Sequence, residues 1–140
     1  MAKRVSEQAA LIYVMVMVAA SDGDMPDQEL KRIGRLAQFL PVFQGLNEND
    51  IIPTAREIQQ ILAGPEGMDI ALETIRDALP PRLYDTAYAL AVEVATADLW
   101  LDDHEIRFLQ LLRARLEIDK LTAAAIERSA IARYRKASNA

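Results

Sequence analysis

The chain has 140 residues, 51% of them hydrophobic, and can therefore bury the core of one domain. Its few aromatic residues and five glycines favour packed helices over a β-sandwich or barrel, and the absence of cysteine excludes disulfides, thiolate metal sites and thiol chemistry. The net charge of −5 argues against a general nucleic-acid-binding protein.

The first predicted helix, at about residues 5–21, contains the longest apolar stretch of the chain, Ala9 to Ala20. This stretch has twelve residues, whereas a membrane span needs about 20. We therefore expect a helix that is buried on all sides in the core rather than one that crosses a membrane. Because no export signal with a small-residue cleavage site is evident, the expected compartment is the cytoplasm.

Six further helices are predicted from apolar spacing and from the positions of proline and glycine. They lie at about residues 26–40, 51–62, 68–79, 82–97, 103–116 and 119–136. In the least regular of them, at 51–62, Pro53 is expected to interrupt the helix, with a capping box of Thr54 and Glu57 just after. No segment alternates with period two for long enough to form a strand. The sequence predicts an all-α, compact bundle of about seven helices in a single domain, 1–140.

An internal repeat relates residues 5–40 to residues 82–116 at an offset of 76 residues. The matching pairs include Val14 and Leu90, Val18 and Val94, Asp22 and Asp98, Asp27 and Asp103, Glu29 and Glu105, Leu30 and Ile106, and Ile33 and Leu109. Each copy has an apolar helix, an acidic turn and an amphipathic helix. We expect the two copies to pack with pseudo-two-fold symmetry.

The two acidic turns, residues 22–29 and 98–105, hold eight of the 21 acids of the chain and no lysine or arginine. Carboxylates and turn carbonyls are the ligands that Ca²⁺ and Mg²⁺ take. The first turn is not an EF-hand loop, because Glu29 is the eighth residue from Asp22 rather than the twelfth. Neither turn alone could surround a calcium ion, but two turns brought together could. The candidate ligands are Asp22, Asp24, Glu29, Asp98, Asp102 and Glu105.

A purely structural role competes with this metal site. Asp102 and Glu105 have the spacing of a capping box, which needs no ligand. Asp22 and Asp98 follow apolar helices, whose C-terminal dipole disfavours an anion by ~0.3–1 kcal/mol. A bound cation would reverse the sign of that effect. The alternatives are therefore a cation site and a set of caps that also serves as a docking surface.

The motif from Ala19 to Glu29 (AASDGDMPDQE), with its echo from Ala95 to Glu105, resembles the TerB-like tellurite-resistance domain. The resemblance covers about residues 5–136 in helix order and repeat spacing. It implies a helical, non-enzymatic module with a divalent-cation site, chiefly for calcium with magnesium as the alternative. It also implies a role in tellurite and chemical-stress resistance, with a TerC-like membrane protein as partner at the inner membrane face.

The second turn departs from this pattern. Leu99 stands where the first turn has Gly23, and Trp100 replaces Asp24, which removes one possible oxygen ligand. The second half-site is therefore expected to be reshaped.

Other side chains have simpler interpretations. His104, the only histidine, is expected to be solvated in the first turn of its helix rather than to bind a metal. Glu93 interrupts an apolar run and is expected at its wet edge, or buried and paired. A carboxylate-based hydrolase is the least favoured function, because no phosphate loop, catalytic triad or sugar-binding platform is present. The oligomeric state is left open.

Overall fold

The computed structural model describes residues 5–19, 30–31, 33–35, 38–97 and 102–138. Across these ranges the fold is a compact all-α bundle without strands, as predicted. Its helices are α1 (Glu7–Ala19), α2 (helical residues 30, 31 and 33–35), α3 (Ile51–Ala63), α4 (Gly67–Ala78), α5 (Tyr84–Ala97), α6 (Asp103–Arg115) and α7 (Lys120–Arg133). Short 3₁₀ turns at Pro41–Phe43, Glu48–Asp50 and Pro81–Leu83 connect them. Within the described ranges, no helix is long and apolar enough to cross a membrane.

Helix α1 forms the centre of the core. Nine consecutive residues, 10–18, are each at most 4% exposed, which confirms that the apolar stretch is buried on all sides. It packs against α5, whose residues at 87, 88, 90–92, 94 and 95 are also buried. Helices α3 and α4 cover one side of α1, α7 packs against α5, and α6 contacts both central helices. The two most apolar helices of the sequence, α1 and α5, thus lie side by side, and each buries part of the apolar surface of the other.

The start of α3 differs from the prediction. The helix begins at Ile51 and continues through Pro53, which therefore lies in its first turn. The backbone N–H groups of the first turn have no partner within a helix, so proline removes no hydrogen bond there. The expected interruption at Pro53 and the capping box of Thr54 and Glu57 are both wrong.

Two buried tyrosines tie the central helices to their neighbours. Tyr13 Oη of α1 donates to Glu57 Oε2 of α3 at 2.8 Å, and Tyr88 Oη of α5 donates to Glu127 Oε2 of α7 at 2.6 Å. Burial of each phenol, followed by its hydrogen bond to the carboxylate, raises the pKa of Tyr13 and of Tyr88 well above the ordinary 10.0. Both contacts therefore strengthen the bundle only while the phenols stay protonated.

We expect stability to fall as the pH rises above 10. Above this pH the unfolded chain loses the phenolic protons of Tyr13 and Tyr88, while the native protein keeps them. Because the native state then binds more protons than the unfolded state, its free energy of unfolding decreases as the pH rises further. Denaturant unfolding at a series of alkaline pH values measures this slope, and Tyr88→Phe should make it shallower. An unchanged slope in Tyr88→Phe, or phenolate absorbance showing that all tyrosines of the native protein ionise near pH 10, would contradict the expectation.

Candidate functional site

Only two of the six predicted metal ligands lie within the described residues. Asp22, Asp24, Glu29 and Asp98 lie outside them, as do the departures at 99 and 100. Asp102 and Glu105 are described and lie at the N-terminus of α6. The described geometry of the site is therefore limited to the last residues of the second acidic turn and to the N-terminus of α6.

Asp102 and Glu105 form the capping box that the sequence predicts. Asp102 Oδ1 accepts the backbone N–H of Glu105 at 2.8 Å, and Glu105 Oε1 accepts the backbone N–H of Asp102 at 3.2 Å. These bonds satisfy donors that the first turn of a helix leaves without partners. The capping interpretation of the two residues is confirmed.

Glu105 is the one charged residue in the described ranges that is buried, with 6% of its surface exposed. A buried carboxylate costs free energy unless hydrogen bonds or opposite charge compensate it. The capping bond and the positive end of the α6 dipole both provide compensation. Asp102, by contrast, is exposed and can reach a ligand outside the protein.

His104 connects the first turn of α6 to the last turn of α1. Its Nε2 lies 3.3 Å from the backbone oxygen of Met17, and because a carbonyl only accepts, the ring nitrogen is the donor. This oxygen belongs to a residue two positions before Ala19, the last described residue of α1. His104 is half-buried, so the expected solvated histidine is wrong. A side chain–backbone bond across 87 positions leaves no periodic signal that sequence reasoning could have found.

The contact between His104 and Met17 places the N-terminus of α6, where the second acidic turn ends, against the last described turn of α1, which precedes the first acidic turn in the sequence. The first acidic turn, residues 22–29, begins five residues beyond Met17 in the sequence. The second lies between Ala97 and α6, and Asp102 is five residues from Ala97, which limits their separation to about 18 Å.

The described part of the chain does not by itself provide a complete metal site. In the ranges given above, no group of three or more histidine, aspartate or glutamate side chains is placed to hold an ion. Asp102 and Glu105 could supply at most part of an oxygen shell, and the other ligands would have to come from Asp22, Asp24, Glu29 and Asp98.

Glu93 illustrates how an acid in an apolar run is accommodated. Its carboxylate pairs with the Arg133 guanidinium and accepts a hydrogen bond from Tyr134 Oη at 2.9 Å, while its side chain is 30% exposed. The residue is thus at the wet edge of α5 and also paired. It belongs to the attachment of α7 rather than to the acidic turns.

Comparison with known proteins gives no relative for this chain: no protein-family model, no curated protein and no solved structure matches it. The functional assignment therefore depends on the residues of the chain itself.

Proposed function

We propose that the protein is a non-enzymatic, TerB-like helical module that binds one divalent cation, calcium in preference to magnesium, between its two acidic turns. In this proposal the cation-loaded corner scaffolds a complex in tellurite and chemical-stress resistance. The proposed setting is the cytoplasm or the inner membrane face, with a TerC-like membrane protein as the partner that the resemblance implies.

One contact carries the proposal: the hydrogen bond from His104 to the backbone oxygen of Met17. It holds the N-terminus of α6, with Asp102 and Glu105, against the last described turn of α1, which precedes the first acidic turn in the sequence. In the proposal, the two acidic segments, which hold eight carboxylates and no lysine or arginine, meet at this end of the bundle. Their mutual repulsion is relieved most effectively by a small divalent cation, for which carboxylates are the preferred ligands.

A thermal-melting titration with CaCl₂ and with MgCl₂ tests the proposal. We expect calcium to raise the melting temperature with saturation, because an ion that binds only the native state stabilises it, by about 2.7 kcal/mol at 100 times Kd. The variant Asp22→Asn/Glu105→Gln should lose this rise. Glutamine at 105 keeps the acceptor that the capping box needs, so the charge is removed while the cap is retained.

Asp119→Asn is the matched control. Asp119 caps α7 by accepting the Thr122 N–H at 2.8 Å, and it lies outside the acidic turns. Asparagine caps a helix as well as aspartate does, so this variant also removes one cap charge without removing the cap. Its calcium response should equal that of the wild type. A flat response of the wild type, or an equal loss in the control, would exclude the cation site.

The second candidate is a helical protein–protein interaction module without a metal. The observation in its favour is that Asp102 and Glu105 already act as helix caps. In this case the acidic corner is a docking surface for a basic partner, and divalent cations have no specific effect on melting.

A further inference from the structure

A groove of about 300 Å³ lies on α5 between α6 and α7, and we call it the open groove. Its floor is formed by Tyr88 and Val92. Its walls are formed by Ile106, Leu109 and Gln110 of α6 and by Ile131 of α7. Ile106 is 41% exposed and Ile131 is 48% exposed, so an apolar surface faces solvent here.

The first half of the chain has a counterpart, which we call the closed groove. Of the eight open-groove residues on α5 and α6, five have equivalents 76 positions earlier that come together in the first half of the chain. All five equivalents line one cavity of only about 10 Å³: Ile12, Val16, Leu30, Ile33 and Gly34. Residues at equivalent positions of the repeat thus line a nearly filled cavity in the first half and an open groove in the second half.

The closed groove is filled by the chain itself. Phe43 and Leu46, from the segment between α2 and α3, and Ile51, the first residue of α3, complete its lining. Phe43 is only 3% exposed, and Leu46 N–H donates to Phe43 O at 3.0 Å in a tight turn. Gln8 fastens the segment to α1 by donating to the carbonyls at 42 and 44.

Gly34 lies close to Ile51, and a Cβ there would be 2.5 Å from Ile51 Cδ1, so that a larger residue would require the Ile51 side chain to shift. At the equivalent position of the open groove stands Gln110, which lines a space that no such residue enters.

Among the described residues, the second half has no segment that could close its groove in this way. Helices α6 and α7 are joined by only four residues, 116–119, whereas residues 38–50 lie between α2 and α3. Arg113 also lines the open groove and forms no ion pair with any carboxylate in the described part of the chain. Glu127 also lines the groove, but its carboxylate already accepts the Tyr88 hydroxyl at 2.6 Å. Arg113 is therefore the charged group with which an acidic residue of an occupant would pair. In the first half, Glu48 follows Leu46 by two residues.

We propose that the open groove binds a segment of a partner protein that carries two bulky apolar side chains three residues apart, of the type Phe-x-x-Leu, followed by an acidic residue. The partner segment takes the place that Phe43 and Leu46 hold in the closed groove. Burying two such side chains against Val92, Leu109 and Ile131 removes apolar surface from water, which supplies the affinity. This proposal is independent of the cation site.

The chain's own closing segment provides the probe. A fluorescently labelled peptide of residues 38–50 is titrated with the full-length protein and followed by fluorescence anisotropy. We expect saturable binding, and no binding of a peptide in which Phe43 and Leu46 are both alanine. Ile131→Lys should weaken binding by at least about tenfold, since it places a charge where an apolar side chain docks.

Ile70→Lys is the matched control, because Ile70 is also 48% exposed but lies on α4, outside the groove. Its affinity for the peptide should equal that of the wild type. Absence of saturable binding would overturn the proposal. An affinity of Ile131→Lys for the peptide equal to that of the wild type would overturn it as well. The peptide would then be binding in the closed groove, in place of residues 38–50 of the protein itself. Dimerisation of the protein that Ile131→Lys abolishes would assign the groove to a second copy instead and so contradict the partner.

Discussion

Replacement of Phe108 by alanine is expected to lower the free energy of unfolding by about 3–5 kcal/mol. Phe108 is 1% exposed and is among the largest fully buried side chains of the described ranges. It lies on α6, the helix that contacts α1, α4 and α5 and whose N-terminus carries Asp102 and Glu105. Truncation leaves a cavity that close-packed neighbours cannot fill, so the loss includes both the transfer of the ring and the cavity. Urea unfolding of the variant and of the wild type measures this loss of free energy of unfolding.

The control for this variant lies on the same helix. Ile106 is 41% exposed, so Ile106→Ala removes little buried surface, and we expect a loss below about 1 kcal/mol. Similar losses in Ile106→Ala and Phe108→Ala would mean that α6 does not pack as described.

Gly67→Ala is expected to destabilise the protein by about 1–3 kcal/mol through steric overlap. Gly67 is the buried first residue of α4. A Cβ at this position would lie 2.5 Å from Ile61 O and 2.6 Å from Leu62 O, both backbone atoms in the last turn of α3. Backbone carbonyls of a helix cannot move aside as a flexible side chain can, so α3 and α4 would have to separate. Denaturant unfolding measures the effect.

Gly64→Ala tests whether the overlap at Gly67, rather than loss of any glycine in this turn, is the cause. The nearest atom to a Cβ at Gly64 is Ile61 O at 3.5 Å, and its backbone has φ −85° and ψ 173°, which alanine adopts readily. We expect a change between zero and a stabilisation of about 1 kcal/mol, since alanine restricts the unfolded chain. A loss in Gly64→Ala as large as that in Gly67→Ala would contradict the steric explanation.

The all-α fold could be predicted because its signals are local. Apolar spacing and the scarcity of glycine placed the helices, and the fully apolar stretch at 9–20 identified the buried centre. The effect of Pro53 could not be predicted because the sequence does not show where a helix begins: the same proline breaks a helix in its interior and is accepted in its first turn.

The candidate site could be predicted only in part, because its geometry depends on contacts between distant residues. The capping box of Asp102 and Glu105 follows from a three-residue spacing and was found. The contact of His104 with Met17 joins positions that are 87 residues apart, and it could not be predicted from the sequence. The difference between the two grooves was also hidden, since it comes from the length of the connection that follows each helix pair rather than from the repeated residues.

The central claim is that the two acidic turns act as one site, and the number of calcium ions bound per chain tests it most directly. Equilibrium dialysis with radioactive calcium should give one ion for the wild type and none for either Asp22→Asn or Asp98→Asn at the same free calcium concentration, because each turn supplies ligands to a shared ion. One ion retained in one of the two variants, or no ion bound by the wild type, would contradict the claim.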